Sequence, residues 1–349
     1  MKVQKTELAE KLHKLKCIVP KKTTMPALQG ILVKDGFLIA SNTEMTVKVK
    51  LEGAGNEYFI IPERAFDLIS NLPDGEMNIS VTGKNTITIQ VDKIKNTYQT
   101  MDPALFPLGA AWEEGSEWKI QADILLKAMK RVSYAVSAQG GNAIMSSVCL
   151  QATGGLLHFV GSDGHVLAWD RVDYEGEFEL LIPKNTVDKF RNLGITGEVQ
   201  MKYNHAGAVF VTEGFEIYTR LVDGEYFKYR NMFKELPLYT VVSRTALLDA
   251  MTRARMCTEE KCAVRFDLEG SVLNLSIRDK FTDYHEMVEL QEPLEEPLTI
   301  KFDARLVSET LKTFDCDKVR ISFGGPRMPM IVEDLDSEYK ALVLPVAVR

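Results

Sequence analysis

Residues 160–169, VGSDGHVLAW, bring three side chains of hydrolase chemistry into one short stretch. Ser162, Asp163 and His165 are the residue types of a nucleophile, an acid and a base. A catalytic relay needs such groups to converge from separate elements, with the nucleophile on a strained turn, and the sequence has no GxSxG motif. Apolar, strand-like runs flank the stretch, and Gly164 supplies the backbone freedom of a tight turn. We therefore predict a turn between two strands here, with no catalytic residues.

Other polar motifs could bind a metal or a phosphate. YHEMVE (284–289) is similar to the HExxH zinc pattern but ends in Glu and lies on a strand-like stretch, so its ligands would not share one helix face. VEDLDSE (332–338) could hold a cation, but its position between strands favours a solvated loop. The glycine-rich LEGAGNE and ATGGLL lack the strand-to-helix context of a phosphate loop. We predict no metal site, no cofactor and no enzymatic activity.

Composition limits the class of protein. The chain has 349 residues, of which 45% are hydrophobic and 26% are charged, and its formal net charge is -7. Its size allows two or three domains. It has no long apolar run and no secretion signal at its polar N-terminus, so we expect a cytoplasmic protein. The cysteines are scattered and form no CxxC pair, which indicates reduced thiols. They are Cys17, Cys149, Cys257, Cys262 and Cys316.

A threefold repeat organises the chain. YFIIPERAFDLISNL (58–72), ELLIPKNTVDKFRNL (179–193) and LTIKFDARLVSETLKTF (298–314) each predict a strand and a helix, followed by further strands. The repeats recur at a spacing of about 120 residues. A second strand–helix pattern precedes each of them, as in KVQKTELAEKLHKL and WKIQADILLKAMKRV. Each repeat therefore consists of two βαβββ units, and the chain holds six.

This pattern predicts an α+β fold of three domains, at 1–114, 115–236 and 237–349. Stacking them side by side would pair sheet edges between domains. Two chains would then close a C2 ring with twelve helices inside and the sheets outside. Helices spaced by ~9 Å leave a hole of roughly 24 Å, which is wide enough for B-form DNA.

Basic side chains recur on the predicted helices although the whole chain is acidic. Such faces would line the hole and contact phosphates without reading sequence. The alternative is an ordinary solvated helix surface. The residues that we predict to face DNA are Lys11, Lys14, Lys127, Lys130, Arg131, Arg244 and Arg253.

Six segments in order carry a family resemblance. They are MPALQGILV (25–33), SDGHVLA (162–168), LLIPKNTVDKF (180–190), LVDGEYFKYRNMF (221–233), ALLDAMTRARMCTEEK (246–261) and VLPV (343–346). With them the sequence resembles the bacterial DNA polymerase III beta subunit, the sliding clamp, over essentially its whole length. The resemblance implies a non-catalytic homodimeric ring that encircles duplex DNA and tethers the replicative polymerase.

The resemblance also implies a cleft in which polymerases, the clamp loader and repair proteins insert a short apolar peptide. Matching positions would line it: Met145, Ser162, Gly164, His165, Val166, Leu167, Phe227, Asn231, Met232, Leu306, Pro329, Leu342, Val343, Leu344, Pro345 and Val346. For the dimer interface it points to Met256 and Cys257 of one copy against Phe66 and Ile69 of the other. The alternative for these two pairs is that they are core residues.

The sequence departs from the family at the cleft. Val166 and Asn231 stand where Arg is common, and Phe227 stands where Pro is frequent. These departures predict weaker binding of acidic or glutamine-led peptides than in other members. They also leave open a second function, a diverged clamp-like scaffold for protein interactions that does not encircle DNA. Retention on closed circular DNA would distinguish the two functions.

Overall fold

The computed structural model describes residues 1–108, 115–137, 142–257, 263–278, 280 and 282–346. It divides into two compact units, one of residues 1–126 with 185–221 and one of residues 127–184 with 222–349. Residue 114, at which the sequence predicts a domain boundary, lies outside the described residues. Cys262 lies outside them as well. The division at 114 and 236 therefore stays a prediction.

The described residues contain six α-helices, which bury apolar side chains. Their bounds are Lys5–Lys16 (α1), Phe66–Asn71 (α2), Ala122–Ser133 (α3), Lys184–Asn192 (α4), Arg244–Met256 (α5) and Ala304–Leu311 (α6). In α1, Leu8, Leu12 and Leu15 are fully buried, because a spacing of three or four residues places them on one face. No helix in the described part of the chain is long and apolar enough to cross a membrane.

A side chain caps the start of each helix in the third repeat. Ser243, the last residue before α5, accepts a hydrogen bond from the backbone N–H of Ala246 at 3.3 Å. Asp303 accepts one from the N–H of Arg305 at 2.8 Å in front of α6. Both caps satisfy donors that the first helical turn leaves free.

The first unit contains two antiparallel sheets. The four-stranded sheet has the order β1-β6-β7-β8, with the bounds Lys2–Gln4 (β1), Glu76–Gly83 (β6), Thr86–Val91 (β7) and Ile94–Gln99 (β8). The eight-stranded sheet has the order β5-β2-β3-β4-β16-β15-β14-β9. Its strands are Tyr58–Pro62 (β5), Gly30–Lys34 (β2), Phe37–Ser41 (β3), Met45–Lys50 (β4), Phe215–Arg220 (β16), Gly207–Val211 (β15), Glu198–Tyr203 (β14) and Ser116–Gln121 (β9).

The second unit contains one ten-stranded sheet with the order β13-β10-β11-β12-β22-β21-β20-β17-β19-β18. Its strands are Phe178–Pro183 (β13), Ser147–Thr153 (β10), Leu156–Ser162 (β11), Val166–Asp173 (β12), Lys340–Val343 (β22), Met330–Asp334 (β21), Lys318–Phe323 (β20), Leu238–Ser243 (β17), Asp283–Asp303 (β19) and Ala263–Arg278 (β18).

Strands from successive repeats pair edge to edge. In the first unit β4 pairs with β16, which brings Val47 opposite Ile217. In the second unit β12 pairs with β22, which brings Ala168 opposite Ala341. This confirms the prediction that repeats join through their sheet edges. The pairing removes edges that would otherwise be exposed to other chains.

The third repeat keeps its two strand–helix patterns, but two of its strands are longer than those of the first two repeats. These two strands are β18 and β19. β18 continues through residues 269–271 and β19 through residues 291–297, where a repeat with shorter strands would have connections. Register shifts between Leu268 and Val272 absorb the irregularity. The segment QEPLEEP (291–297) contains two prolines, and β19 continues through it as extended backbone.

Candidate peptide-binding cleft and basic surface

The turn that joins β11 to β12 uses its polar side chains on its own backbone. The Ser162 hydroxyl donates to the carbonyl of Val166 at 2.8 Å. The Asp163 carboxylate accepts from the N–H groups of His165 and Val166, both at 2.8 Å. Gly164 has a φ of 86°, the left-handed region that glycine tolerates. The predicted turn is confirmed, and these contacts give Ser162 and Asp163 a structural role.

The β12–β22 pairing places this turn beside the C-terminal segment. Leu167 lies opposite Leu342 in the antiparallel register. One residue beyond β22, the backbone N–H of Leu344 donates to the carbonyl of His165 at 2.9 Å. Residues far apart in sequence therefore form one continuous surface, with Leu167 and Leu342 in the same buried hydrophobic cluster.

The opposite side of this strand pair is buried in the core. Val166 is paired with Val343, and both side chains are buried. Successive side chains in a strand point to opposite faces, so Val166 does not share the Leu167 side of the sheet. Val166 consequently packs on the side of the sheet opposite Leu167, and its place in the cleft wall stays a prediction.

An aromatic segment, residues 222–233, covers the Leu167 side of the sheet. Tyr226 and Tyr229 are buried in the same cluster, and Phe233 packs against it. The ring centroid of Phe233 lies 5.2 Å from that of Trp169. The sequence analysis did not single out Tyr226, Tyr229 and Phe233, although their spacing in LVDGEYFKYRNMF is the signal that could have found this aromatic cluster.

The predicted cleft residues fall into three classes of exposure. The exposed ones are Gly164, His165, Asn231, Met232 and Leu344. The half-buried ones are Met145, Phe227, Pro329, Pro345 and Val346. The buried ones are Ser162, Val166, Leu167, Leu306, Leu342 and Val343. The strand pair and its covering segment bring the residues of the turn and the C-terminus together with Phe227. Leu306 is placed separately by α6, and Pro329 precedes β21.

A buried histidine supports the floor of this surface. His158 Nδ1 accepts a hydrogen bond from the Trp169 indole N–H at 3.0 Å. Burial lowers the pKa of His158 to about 4, with a smaller contribution from the positive charges of Arg230 and Arg171. The imidazole is therefore neutral near pH 7 and fixes the orientation of Trp169. The sequence analysis did not single out His158.

Two sequence models of the DNA polymerase III beta subunit match the chain. The N-terminal domain matches residues 1–109, and the C-terminal domain matches residues 234–347. Together the two matches cover more than half of the chain in the order that the family requires. The chain belongs to the DNA polymerase III beta subunit family.

Relatives support this membership along the whole chain. A beta sliding clamp of Lactococcus lactis is 23% identical over 99% of this chain and 98% of its own length. The crystal structure of the DNA polymerase III beta subunit of Thermotoga maritima has a TM-score of 0.91 and 24% identity, covering 100% of this chain and 99% of that one. A sliding clamp of Pseudomonas aeruginosa bound to griselimycin has a TM-score of 0.92 and 20% identity, covering 100% of this chain and 99% of that one.

The basic residues predicted to face DNA differ in exposure. Lys127, Lys130 and Arg253 are exposed, and Lys11, Lys14 and Arg244 are half-buried. Several of them lie beside acidic groups. Lys14 is 2.8 Å from Glu10 in the same helix, Arg253 pairs with Glu286, and Lys127 is 3.3 Å from Asp315. A DNA phosphate would compete with these carboxylates for each cation.

Arg131 is a correction to this predicted DNA-facing set. Its side chain is only 6% exposed and lies among three carboxylates. Arg131 Nη1 is 3.2 Å from Asp170, and Nη2 is 3.4 Å from Asp315 and 3.5 Å from Asp334. Its guanidinium also lies 5.0 Å from the ring centroid of Tyr339. Arg131 follows the exposed Lys130 on α3, and one step along a helix turns a side chain by about 100° toward another face.

The four predicted dimer residues occupy contrasting positions. On α2, Phe66 is 2% exposed and Ile69 is fully buried, so both belong to the core of the first unit. Met256, at the end of α5, is 79% exposed, and Cys257 is half-buried. The alternative of a core role therefore holds for Phe66 and Ile69, whereas Met256 has the exposure that a contact with a second copy needs.

Proposed function

We propose that this chain is a sliding clamp, a non-catalytic processivity factor for DNA polymerase III in the cytoplasm. Two copies form a ring around duplex DNA and tether the replicative polymerase to it. The observation that carries this proposal is the full-length similarity to beta sliding clamps, in a chain whose repeats join edge to edge through β4–β16 and β12–β22. We infer from this pairing of successive repeats that the chain consists of three similar domains, 1–114, 115–236 and 237–349.

A comparison of clamp retention on circular and on linear DNA tests whether the protein encircles DNA. The clamp, loaded on a nicked circular duplex, should stay bound after gel filtration at high salt and should dissociate when one restriction cut makes the circle linear. Contacts between basic side chains and phosphates weaken with salt, whereas a closed ring is retained by its linkage to the circle. Equal release from circular and linear DNA would exclude encirclement and favour the scaffold that does not hold DNA.

The surface around Leu167, Leu342 and Leu344 is the proposed docking site for partner peptides. Leu344 and Met232 are exposed apolar groups beside a buried apolar floor, which suits the insertion of Leu or Phe side chains. The polymerase, the clamp loader and repair proteins would compete for it. Val166 is buried whereas Asn231 is exposed. We therefore assign the preference for particular partner peptides to Asn231.

Asn231→Arg tests this assignment. We expect it to strengthen the binding of a glutamate-led Leu-Phe peptide by about threefold, because a partly exposed charge pair contributes less than ~1 kcal/mol. Fluorescence anisotropy at low and high salt measures the change. Asn192→Arg, in the first unit, controls for net charge. An equal gain in Asn231→Arg and Asn192→Arg would show that the position of the charge has no effect.

A further inference from the structure

A cavity of about 390 Å³ lies in the second unit, between the segment 233–236 and the ten-stranded sheet. It is separate from the residues that the family resemblance assigns to the peptide cleft. The residues that determine its chemistry are Phe233, Tyr239, Arg320, Glu333 and Lys340. Lys234 and Glu235 also line the cavity, which therefore combines aromatic walls with three cations and two acids.

The cavity continues the floor of the proposed cleft. In the register of the sheet, Leu342 lies opposite Ile331, Ile331 opposite Ser322, and Ser322 opposite Tyr239. Leu342 itself lies opposite Leu167. One row of side chains across five strands thus leads from the apolar floor of the cleft to the wall of the cavity. Neighbouring strands are about 4.8 Å apart, so a bound peptide of ordinary length can reach both.

A second row of side chains supplies the charges. It is displaced from the first row by two residues along each strand, so it lies on the same side of the sheet. Lys340 lies opposite Glu333, and Glu333 lies opposite Arg320. The Lys340 ammonium is 5.0 Å from the ring centroid of Trp169 and 5.7 Å from that of Phe233. Its distance to the Glu333 carboxylate is 3.8 Å, the long end of an ion pair.

Aromatic rings therefore hold the cations at the cavity. Just as Lys340 lies over Trp169, the Arg320 guanidinium lies 5.5 Å from the ring centroid of Tyr239. Rings orient a cation without using all of its hydrogen-bond donors, so donors remain available to an incoming anion. A planar guanidinium beside an ammonium matches the two oxygens of a carboxylate.

We propose that this cavity is a subsite for an acidic side chain of the partner peptide whose apolar anchor occupies the Leu167–Leu342 floor. The proposal rests on the peptide-docking function proposed above. Arg320 and Lys340 bind the carboxylate, and the rings of Tyr239 and Phe233 exclude water from one side of it. The chain thereby selects peptides with an acidic residue beside the anchor, although Asn231 removes the cation that is common at the cleft mouth in the family.

Four labelled peptides, in two matched sets of two, test the subsite. They share a Leu-Phe anchor and differ only in a flanking pair, Glu-Glu or Gln-Gln, which is placed before the anchor in one set and after it in the other. Anisotropy titrations with the full chain should show about fivefold tighter binding of one Glu-Glu peptide over its Gln-Gln counterpart. Lys340→Met and Arg320→Gln should each reduce this preference to below about twofold. Binding of the Gln-Gln peptide should stay unchanged, which verifies that the variants are folded.

Lys318→Gln is the matched control, because Lys318 is exposed on the same strand as Arg320 but outside the cavity lining. It should keep the preference. Equal binding of both peptides to the wild-type protein would overturn the subsite while leaving the cleft intact. An equal loss of preference in Lys318→Gln would overturn it as well. If the wild-type protein binds none of the peptides, the docking function itself fails and the subsite with it.

Discussion

At the scale of single residues, Arg131 is the charged group whose loss should affect the protein most. Its guanidinium is surrounded by Asp170, Asp315 and Asp334, and Tyr339 donates a hydrogen bond to its backbone carbonyl at 2.8 Å. Burial raises the pKa of Asp170, and the charge of Arg131 opposes this shift. Arg131 therefore stabilises the ionised form of Asp170 in the interior of the second unit.

Arg131→Met should destabilise the protein by about 3–5 kcal/mol, because it leaves Asp170 and Asp334 buried without their cation. Urea denaturation monitored by tryptophan fluorescence measures the loss. Lys130→Met, at the exposed neighbour, should change stability by less than ~0.5 kcal/mol and should instead weaken DNA binding at low salt. If the two variants are equally stable, the Arg131 cluster has no structural role.

His158 predicts a dependence of stability on pH. Its pKa is about 4 in the folded chain and about 6.5 when unfolded, so between these values the unfolded chain binds more protons. The contribution of His158 to the free energy of unfolding is complete above pH 6.5 and is lost as the pH falls toward 4. Between pH 7 and pH 4.5 the wild-type protein should lose about 2 kcal/mol more than His158→Gln, which retains an acceptor for Trp169. Parallel pH profiles in denaturant titrations would contradict this.

At the scale of elements, the close approach of α3 to the sheet depends on a glycine. A Cβ added at Gly161, on β11, would lie 2.3 Å from the carbonyl oxygen of Val132 and 2.8 Å from a methyl group of Val136. A Cβ at 2.3 Å from the Val132 carbonyl oxygen would clash with the backbone of α3, and only a movement of the helix would relieve the clash. The packing of α3, which carries Lys127 and Lys130, is thus linked to the strand that precedes the SDGH turn.

Gly161→Ala should therefore destabilise the protein by about 2–3 kcal/mol through overpacking. Gly214→Ala is the control, because no atom lies within 4 Å of its added Cβ and its φ is not in the left-handed region. It should be neutral or stabilise by less than ~1 kcal/mol. Thermal and urea unfolding of both variants measure the difference. Equal effects would mean that α3 can shift freely on the sheet.

At the scale of the whole molecule, the proposed ring depends on contact between copies. Met256→Glu places a charge on the most exposed of the four predicted interface side chains. We expect it to weaken dimerisation at least tenfold, because a buried unpaired carboxylate costs more than ~1.4 kcal/mol. Sedimentation velocity over a concentration series measures this, with Met328→Glu as the control at another exposed methionine. A dimer as stable as that of the wild-type protein would place the interface elsewhere.

The sequence by itself determined the repeat and the α+β class. These features depend on local periodicity and on turn residues, which each segment expresses without its neighbours. It also indicated that SDGH is a turn, because Gly164 and the polar side chains favour that backbone locally. The family was likewise evident from six short segments in order, and the two matching sequence models confirm it.

Only the tertiary structure decided which side of an element is buried. Lys130 and Arg131 are adjacent basic residues on α3. Lys130 is exposed, whereas Arg131 lies among three aspartates that the fold brings together from distant strands and loops. Val166 and Leu167 are both buried, but they lie on opposite sides of the β12–β22 strand pair. Burial and charge pairing are sums over long-range contacts, so no local pattern in the sequence contains them.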